Sequence, residues 1–201
     1  MSSKNDKFYL KLALNLAKQH EGLTNENPSV GCVIVKDNKI LSLSKTSISG
    51  RPHAEDNAIR FANTNDLKGS TIYVTLEPCT HYGKTPPCTD LIIKKKISKI
   101  VYASNDIDER NANKLKKVLK NHNISTKQIR MKEITDFYKS YFFIRKNKFP
   151  YITAKLACSN DYYIYSKKNK NITNELSRKT SHLLRYKNNA ILISSKTLNK
   201  D

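Results

Sequence analysis

The chain has 201 residues, 38% of them hydrophobic, which is enough for one domain of ordinary size and part of a second. Its 37 Lys and Arg against 17 Asp and Glu give a formal net charge of +20, but the cations are spread over the whole chain among Asn and Ile, without an aromatic-interleaved basic stripe. That distribution argues for a solvated surface rather than a specific nucleic-acid face, and no run of roughly 18 apolar residues calls for a membrane helix. The N-terminus also lacks the apolar core of a signal peptide, so a cytoplasmic address is expected.

In chain order, apolar residues at helical spacing predict a first helix over Phe8 to His20, ending at Gly22. Val30–Val35 and Ile40–Leu43 flank the polar Lys36–Lys39 and read as two strands joined by a hairpin turn. A helix is expected from near His53 to about Asn63, with Ala54, Ala58, Ile59 and Ala62 packing inward. Thr71–Leu76 reads as a strand, and after a segment rich in Pro and Cys come a helix around Thr89–Lys96 and a strand at Lys99–Ala103. Helices near Asn113–Asn121 and Thr135–Lys146 complete an α/β layered domain with a mixed sheet, bounded near Phe149–Pro150, so residues 1–149 form the first domain. Residues 150–201 restart with a strand at Tyr151–Ala157, a helix near Thr173–Tyr186 and a strand at Ala190–Ser194. One such unit does not close its own core, so it reads as cut short or as leaning on the first domain or on another chain.

Two of the four cysteines, Cys79 and Cys88, share a short polar segment with Pro, His and Gly, a pattern that in a cytoplasmic chain favours metal over disulfide. Cys32 and Cys158 lie in apolar runs and read as buried thiols. Pro52-His53-Ala54-Glu55 places an imidazole and a carboxylate two residues apart at a helix start, and Glu77-Pro78-Cys79 follows a strand end. His53, Cys79 and Cys88 together meet the ligand count of a catalytic zinc, which keeps one position for water. Glu55 is then a carboxylate outside the ligand set, suited to moving a proton, as in zinc deaminases that act on nucleobases. A closed zinc knot would want a fourth ligand and would leave Glu55 without a task. Eight residues separate Cys79 from Cys88, where cytidine and tRNA-adenosine deaminases have two; the insert carries His81, Gly83 and Lys84, groups suited to a larger substrate bearing a phosphate.

Asn27-Pro28-Ser29-Val30-Gly31, His53-Ala54-Glu55 and the run from Thr75 to Cys88 closely resemble the deaminase domain of the bifunctional riboflavin-biosynthesis deaminase-reductases, over about residues 8 to 149. The resemblance implies a three-layer cytidine-deaminase-like fold and a phosphoribosylaminopyrimidine substrate, 2,5-diamino-6-hydroxy-4-(5-phosphoribosylamino)pyrimidine, whose ring amine is hydrolysed to release ammonia. It further implies zinc on His53, Cys79 and Cys88, proton transfer by Glu55, and substrate contacts from Asn27, His81, Lys84 and Asp106, although Ile107-Asp108-Glu109-Arg110 departs from the family's loop.

The second unit resembles the opening of the family's reductase domain, a dihydrofolate-reductase-like α/β fold. Lys155–Asp161 follow its first-strand motif with Tyr162 in place of Gly, and Leu184-Arg185 and Ser195 through Asp201 match a later helix and a dinucleotide-contact loop. The resemblance implies an NADP contact role for Cys158, Thr197 and Asp201 and a substrate role for Arg185. All five glycines lie at or before Gly83, however, and phosphate-cradling loops rely on glycine, so NADP reduction by this chain is not expected. Two other readings are a cytidine or tRNA-adenosine deaminase, which the inter-cysteine insert opposes, and a non-catalytic zinc-binding interaction module, which has no use for Glu55. The sequence does not specify an oligomeric state, and a homo-oligomer is compatible with it.

Overall fold

The computed structural model describes residues 3–62, 67–164 and 172–199. The chain divides into two compact units, Met1–Tyr151 and Ile152–Asp201. In the first, helix α1 (Ser3–Lys18) is followed by strands β1 (Gly31–Lys36) and β2 (Lys39–Lys45), helix α2 (Ala54–Phe61), strand β3 (Thr71–Leu76), helix α3 (Cys88–Lys94) and strand β4 (Lys99–Ser104). Helix α4 (Leu115–Leu119), strand β5 (Ser125–Gln128) and helices α5 (Lys132–Phe137) and α6 (Lys139–Asn147) complete it. The strands form one mixed sheet of order β2-β1-β3-β4-β5, with β1 antiparallel to both neighbours and β3, β4 and β5 parallel. The β1–β2 turn holds Asp37 and Asn38 at φ 49° and 59°, the doubly positive backbone of a two-residue hairpin, which short polar side chains tolerate.

Strand alternation assigns the two faces of the sheet. Gly31 sits against α1, where a methyl group would overlap the carbonyl of Ala13, so glycine sets the close approach of helix and strand. Tyr73 faces the same way, its hydroxyl donating to Asp6 of α1 at 2.9 Å. Cys32 and Ile34 point to the opposite face with their β3 partners Val74 and Ile72, and α2 packs on that side, with Glu55 acting on Cys32. Leu10, Leu14, Ile34, Ile72, Ile92 and Ile100 are all fully buried between these layers. Each such side chain contributes about 1.5–3 kcal/mol of transfer free energy.

Three elements depart from expectation. Strand β5 was not anticipated because Ser125-Thr126-Lys127-Gln128 has no apolar alternation; it is a polar edge strand, and Lys127 ties it to buried Asp6 at 2.7 Å. The helix expected over 135–146 is two helices that meet at Tyr138, whose backbone is pinned at φ −88°, ψ 3°. The fully buried Tyr138 hydroxyl bonds Thr75 Oγ1 at 2.6 Å and donates to the Ser29 carbonyl at 3.0 Å, so tertiary bonding overrides the helical pattern. The helix expected over 113–121 is shorter and ends in a 3-10 turn, Lys120–His122.

In the second unit, helix α7 (Glu175–Tyr186) is capped by Asn174, whose Oδ1 accepts the Ser177 N–H at 2.9 Å, and α8 is Ser195–Leu198. Residues 151–157 and 190–194, read from sequence as strands, are irregular, and no strand forms among the described residues of this unit. Their β-branched residues suit a sheet, but two strands joined by one helix bury too little surface to hold a ladder alone. No helix of the described residues is long and apolar enough to cross a membrane.

Candidate metal centre and substrate cleft

The fold brings three soft donors together where β3 ends and two helices begin. His53 is the cap residue preceding α2, Cys79 lies three residues past β3, and Cys88 is the first residue of α3. His53 Nδ1 is 3.6 Å from Cys79 Sγ and 3.4 Å from Cys88 Sγ, and the three donor atoms all lie within 4.8 Å of one another. The Cys88 backbone N–H donates to Cys79 Sγ at 3.1 Å. The Cys88 thiol and His53, helped by that bond, hold the Cys79 thiol down to about 4 against its burial, while Cys88 is pushed well above its ordinary value by Cys79, burial and the Glu55 charge. One imidazole and two sulfurs, one already favoured as thiolate, fit zinc and its preference for nitrogen and sulfur donors.

Glu55 is buried in the first turn of α2, outside the group of three donors. Burial, reinforced by the Cys79 charge and opposed by His53, pushes its carboxyl up to about 7, and it makes a side-chain hydrogen bond with Cys88. A cleft of about 110 Å³ opens over Glu55, His53 and Cys79.

Two buried polar residues build the wall beyond β3, and sequence reasoning assigned neither. Glu77 accepts the backbone N–H groups of Asp106 at 3.2 Å, Asn113 at 3.3 Å and Leu115 at 3.3 Å. Asn111, fully buried, accepts the Thr80 N–H at 2.7 Å and the Thr80 hydroxyl at 2.9 Å, and donates to Asp106 Oδ2 at 3.1 Å and the Glu77 carbonyl at 3.5 Å. The segment after Cys79 is thereby stapled to the 105–113 loop. No local pattern could have revealed this, because the partners across the staple lie 29 to 38 positions apart.

Of the substrate residues anticipated, Asn27, His81 and Asp106 line the cleft. Asn27 Nδ2 donates to the Gly50 carbonyl at 3.3 Å, and Gly50, at φ 88°, leaves no space there for a Cβ. His81 Nδ1 is buried and has no hydrogen-bond partner among the described residues. Asp106 shapes its own loop, Oδ1 accepting the Asp108 N–H at 3.1 Å. Lys84 is exposed on the insert and is not among the cleft residues. Arg51, Arg110 and Arg145, which the sequence did not single out, do line the cleft. In the second unit Arg185 is exposed on α7 and Cys158 is half-buried; Thr197 is in α8, and Asp201 lies outside the described residues.

Residues 3–104 match the family described as the cytidine and deoxycytidylate deaminase zinc-binding region. Riboflavin biosynthesis protein RibD of Aquifex aeolicus is 41% identical over 98% of this chain and 56% of its own length. The diaminohydroxyphosphoribosylamino-pyrimidine deaminase of Buchnera aphidicola subsp. Acyrthosiphon pisum is 42% identical over 73% of this chain and 99% of its own. Among solved structures, the diaminohydroxyphosphoribosylaminopyrimidine deaminase/5-amino-6-(5-phosphoribosylamino)uracil reductase of Thermotoga maritima aligns with a TM-score of 0.88 at 35% identity, covering 98% of this chain and 57% of that one. The chain thus spans about half the length of the RibD proteins it matches. On a cysteine and histidine donor set in the right fold and on these identities, the chain belongs to the zinc-binding cytidine and deoxycytidylate deaminase family and, within it, to the diaminohydroxyphosphoribosylaminopyrimidine deaminases.

Proposed function

We propose that this protein hydrolyses the ring amine of 2,5-diamino-6-hydroxy-4-(5-phosphoribosylamino)pyrimidine, giving 5-amino-6-(5-phosphoribosylamino)uracil and ammonia. The observation that carries the reading is the donor trio of His53, Cys79 and Cys88 with buried Glu55 beside it and outside it. Zinc held by these three residues supplies the Lewis acidity that makes water a nucleophile near neutral pH. Glu55 takes one proton from the attacking water and passes it to the ring nitrogen, then takes the second from the hydroxyl now on the ring carbon and gives it to the departing amine, ending as the carboxylate it began as. Asn27, with Nδ2 committed to Gly50, offers its carbonyl oxygen to the ring's amino groups, and His81 offers its unpartnered Nδ1. Lys84 attracts the phosphoribosyl end from the rim, and Asp106 keeps the opposite wall in place through Asp108 and Asn111.

Residues 1–149 are assigned as the deaminase domain and 150–201 as the opening of a reductase-like unit. Arg185, Cys158, Thr197 and Asp201 belong to that reductase-like opening, and NADP reduction is not assigned to it, because phosphate-cradling loops rely on glycine and every glycine of the chain lies at or before Gly83. The substrate is a small diffusible molecule, met in the cytoplasm, and the spread of positive charge is assigned to solvation rather than to nucleic acid.

The test follows ammonia release from the phosphoribosylaminopyrimidine by zinc-loaded protein. Glu55→Gln is expected to keep zinc and fold while turnover drops on the order of 10² or more. Deamination of cytidine or deoxycytidylate in place of this substrate would overturn the substrate assignment, and near-parental turnover in Glu55→Gln would overturn the proton route.

A further inference from the structure

The cleft is lined by acids and guanidiniums together, and most of that charge is already engaged. The Glu77 carboxylate is filled by three backbone N–H groups, and Asp106 by the Asp108 N–H and Asn111. Asp108 takes Arg110 in a fork, Nε to Oδ1 at 2.9 Å and Nη2 to Oδ2 at 2.5 Å, so these two charges cancel at the wall.

Arg51 and Arg145 remain, and among the described residues neither forms an ion pair with a carboxylate. Both are instead oriented by neutral groups. Arg51 Nη1 donates to Thr85 Oγ1 at 2.6 Å, which fixes the guanidinium against the insert between the two cysteines. Arg145 Nη2 donates to the Glu26 carbonyl at 3.0 Å, next to Asn27, and its guanidinium carbon lies 5.7 Å from the centre of the Tyr141 ring. A guanidinium has five donors, so each keeps N–H groups and a full positive charge for a ligand. One is tied to the insert and the other to the Glu26 carbonyl, and both line a single cleft.

We infer that Arg51 and Arg145 are the anion subsite of this cleft, holding the phosphate of the substrate between them. The inference rests on the deaminase reading for the identity of that anion. It assigns the direct contact to two planar forks, which match phosphate geometry, and leaves exposed Lys84 to act from the rim. It also gives the chain's specificity a physical source: a nucleobase or unphosphorylated riboside forgoes the charge-assisted bonds that these two guanidiniums can give a phosphate.

The experiment uses the zinc-loaded full chain and compares kcat/KM for the phosphoribosylaminopyrimidine and its dephosphorylated riboside in the parent, Arg51→Ala, Arg145→Ala and Lys132→Ala. Lys132 pairs with Asp136 on the solvent face of α5 and controls for the loss of one positive charge. Preference for the phosphorylated substrate is expected to fall about tenfold or more in each arginine variant, as for loss of a charge-assisted hydrogen bond, and to persist in Lys132→Ala. Calorimetric titration with ribose 5-phosphate reads the subsite without the chemistry, and binding should weaken in parallel. Parental preference and parental ribose 5-phosphate binding in both arginine variants would overturn the subsite. A parent that releases no ammonia from either pyrimidine, yet binds ribose 5-phosphate through these arginines, would overturn the deaminase reading and leave the subsite standing.

Discussion

Asn111→Ala removes the staple between the Cys79 segment and the 105–113 loop while leaving every proposed zinc and substrate residue in place. Three of its hydrogen bonds are well formed: those from the Thr80 N–H at 2.7 Å and the Thr80 hydroxyl at 2.9 Å, and the one given to the Asp106 carboxylate at 3.1 Å. The contact to the Glu77 carbonyl, at 3.5 Å, adds little. At about 1 kcal/mol for each neutral bond and about 2 for the bond to a carboxylate, the loss is about 4 kcal/mol. For a folded unit of this size that corresponds to a fall in Tm of roughly 8–16 °C. The assay is thermal unfolding followed by circular dichroism at a fixed excess of zinc, because a ligand that binds only the native state adds to stability by mass action. Competition with a chelator should also show weaker zinc retention, since Thr80 directly follows Cys79. Asn111→Asp keeps the acceptor for Thr80 but sets a carboxylate against the Asp106 carboxylate, and is expected to cost at least as much despite its equal size. A Tm within about 2 °C of the parent together with unchanged zinc affinity in Asn111→Ala would refute the staple.

The other expectations concern the metal, the sheet edge and the second unit. Zinc content of about one per chain should fall sharply in Cys79→Ser and Cys88→Ser, and full retention in the double variant, measured by metal analysis, would refute the ligand assignment. Burial alone would raise the Asp6 carboxyl, but hydrogen bonds from Lys127 and Tyr73 outweigh it and hold the group below its ordinary value. Its ionised form therefore stabilises the fold fully above about pH 4, and that contribution is lost as the pH falls through the lowered value. In urea unfolding, Asp6→Asn should be less stable than the parent at pH 7 and the gap should shrink in stronger acid; a gap that widens there contradicts the sign. Calorimetric titration of the chain with NADPH should show no binding, whereas micromolar affinity with turnover of the deaminated ribosyl product would mean that residues 152–201 complete a dinucleotide site.

What the sequence disclosed was chemistry held in short runs. His53-Ala54-Glu55 and the stretch from Glu77 to Cys88 carry their donors at fixed local spacing, and the alternating or continuous apolar runs of β1, β3 and β4 report burial directly. What stayed hidden depends on partners remote in the chain. Strand β5 is polar because it lies at an edge, and only its ladder to β4 and the Lys127–Asp6 pair make it a strand. The break at Tyr138 is set by Thr75 and Ser29, and the engagement of Arg110 by Asp108 is what separates it from Arg51 and Arg145. Residues 151–157 and 190–194 show the reverse error: strand composition is present, but a strand also needs a neighbour to pair with.

The two walls of the cleft are therefore stabilised by different physics. Helix α2 brings His53 and Glu55 to the site on buried Ala54, Ala58 and Ile59, so their placement follows from apolar packing against the sheet. The 105–113 loop has no comparable apolar anchor before Leu115, and its position depends on Glu77 and Asn111 being fully bonded. Apolar packing tolerates a lost methylene with a graded cost, whereas a buried polar network that loses one member leaves several groups unsatisfied at once. Substitutions behind α2 should then erode stability before they disturb the metal donors. Substitutions in the polar wall should disturb both together, because Asn111 grips Thr80, the residue next to Cys79.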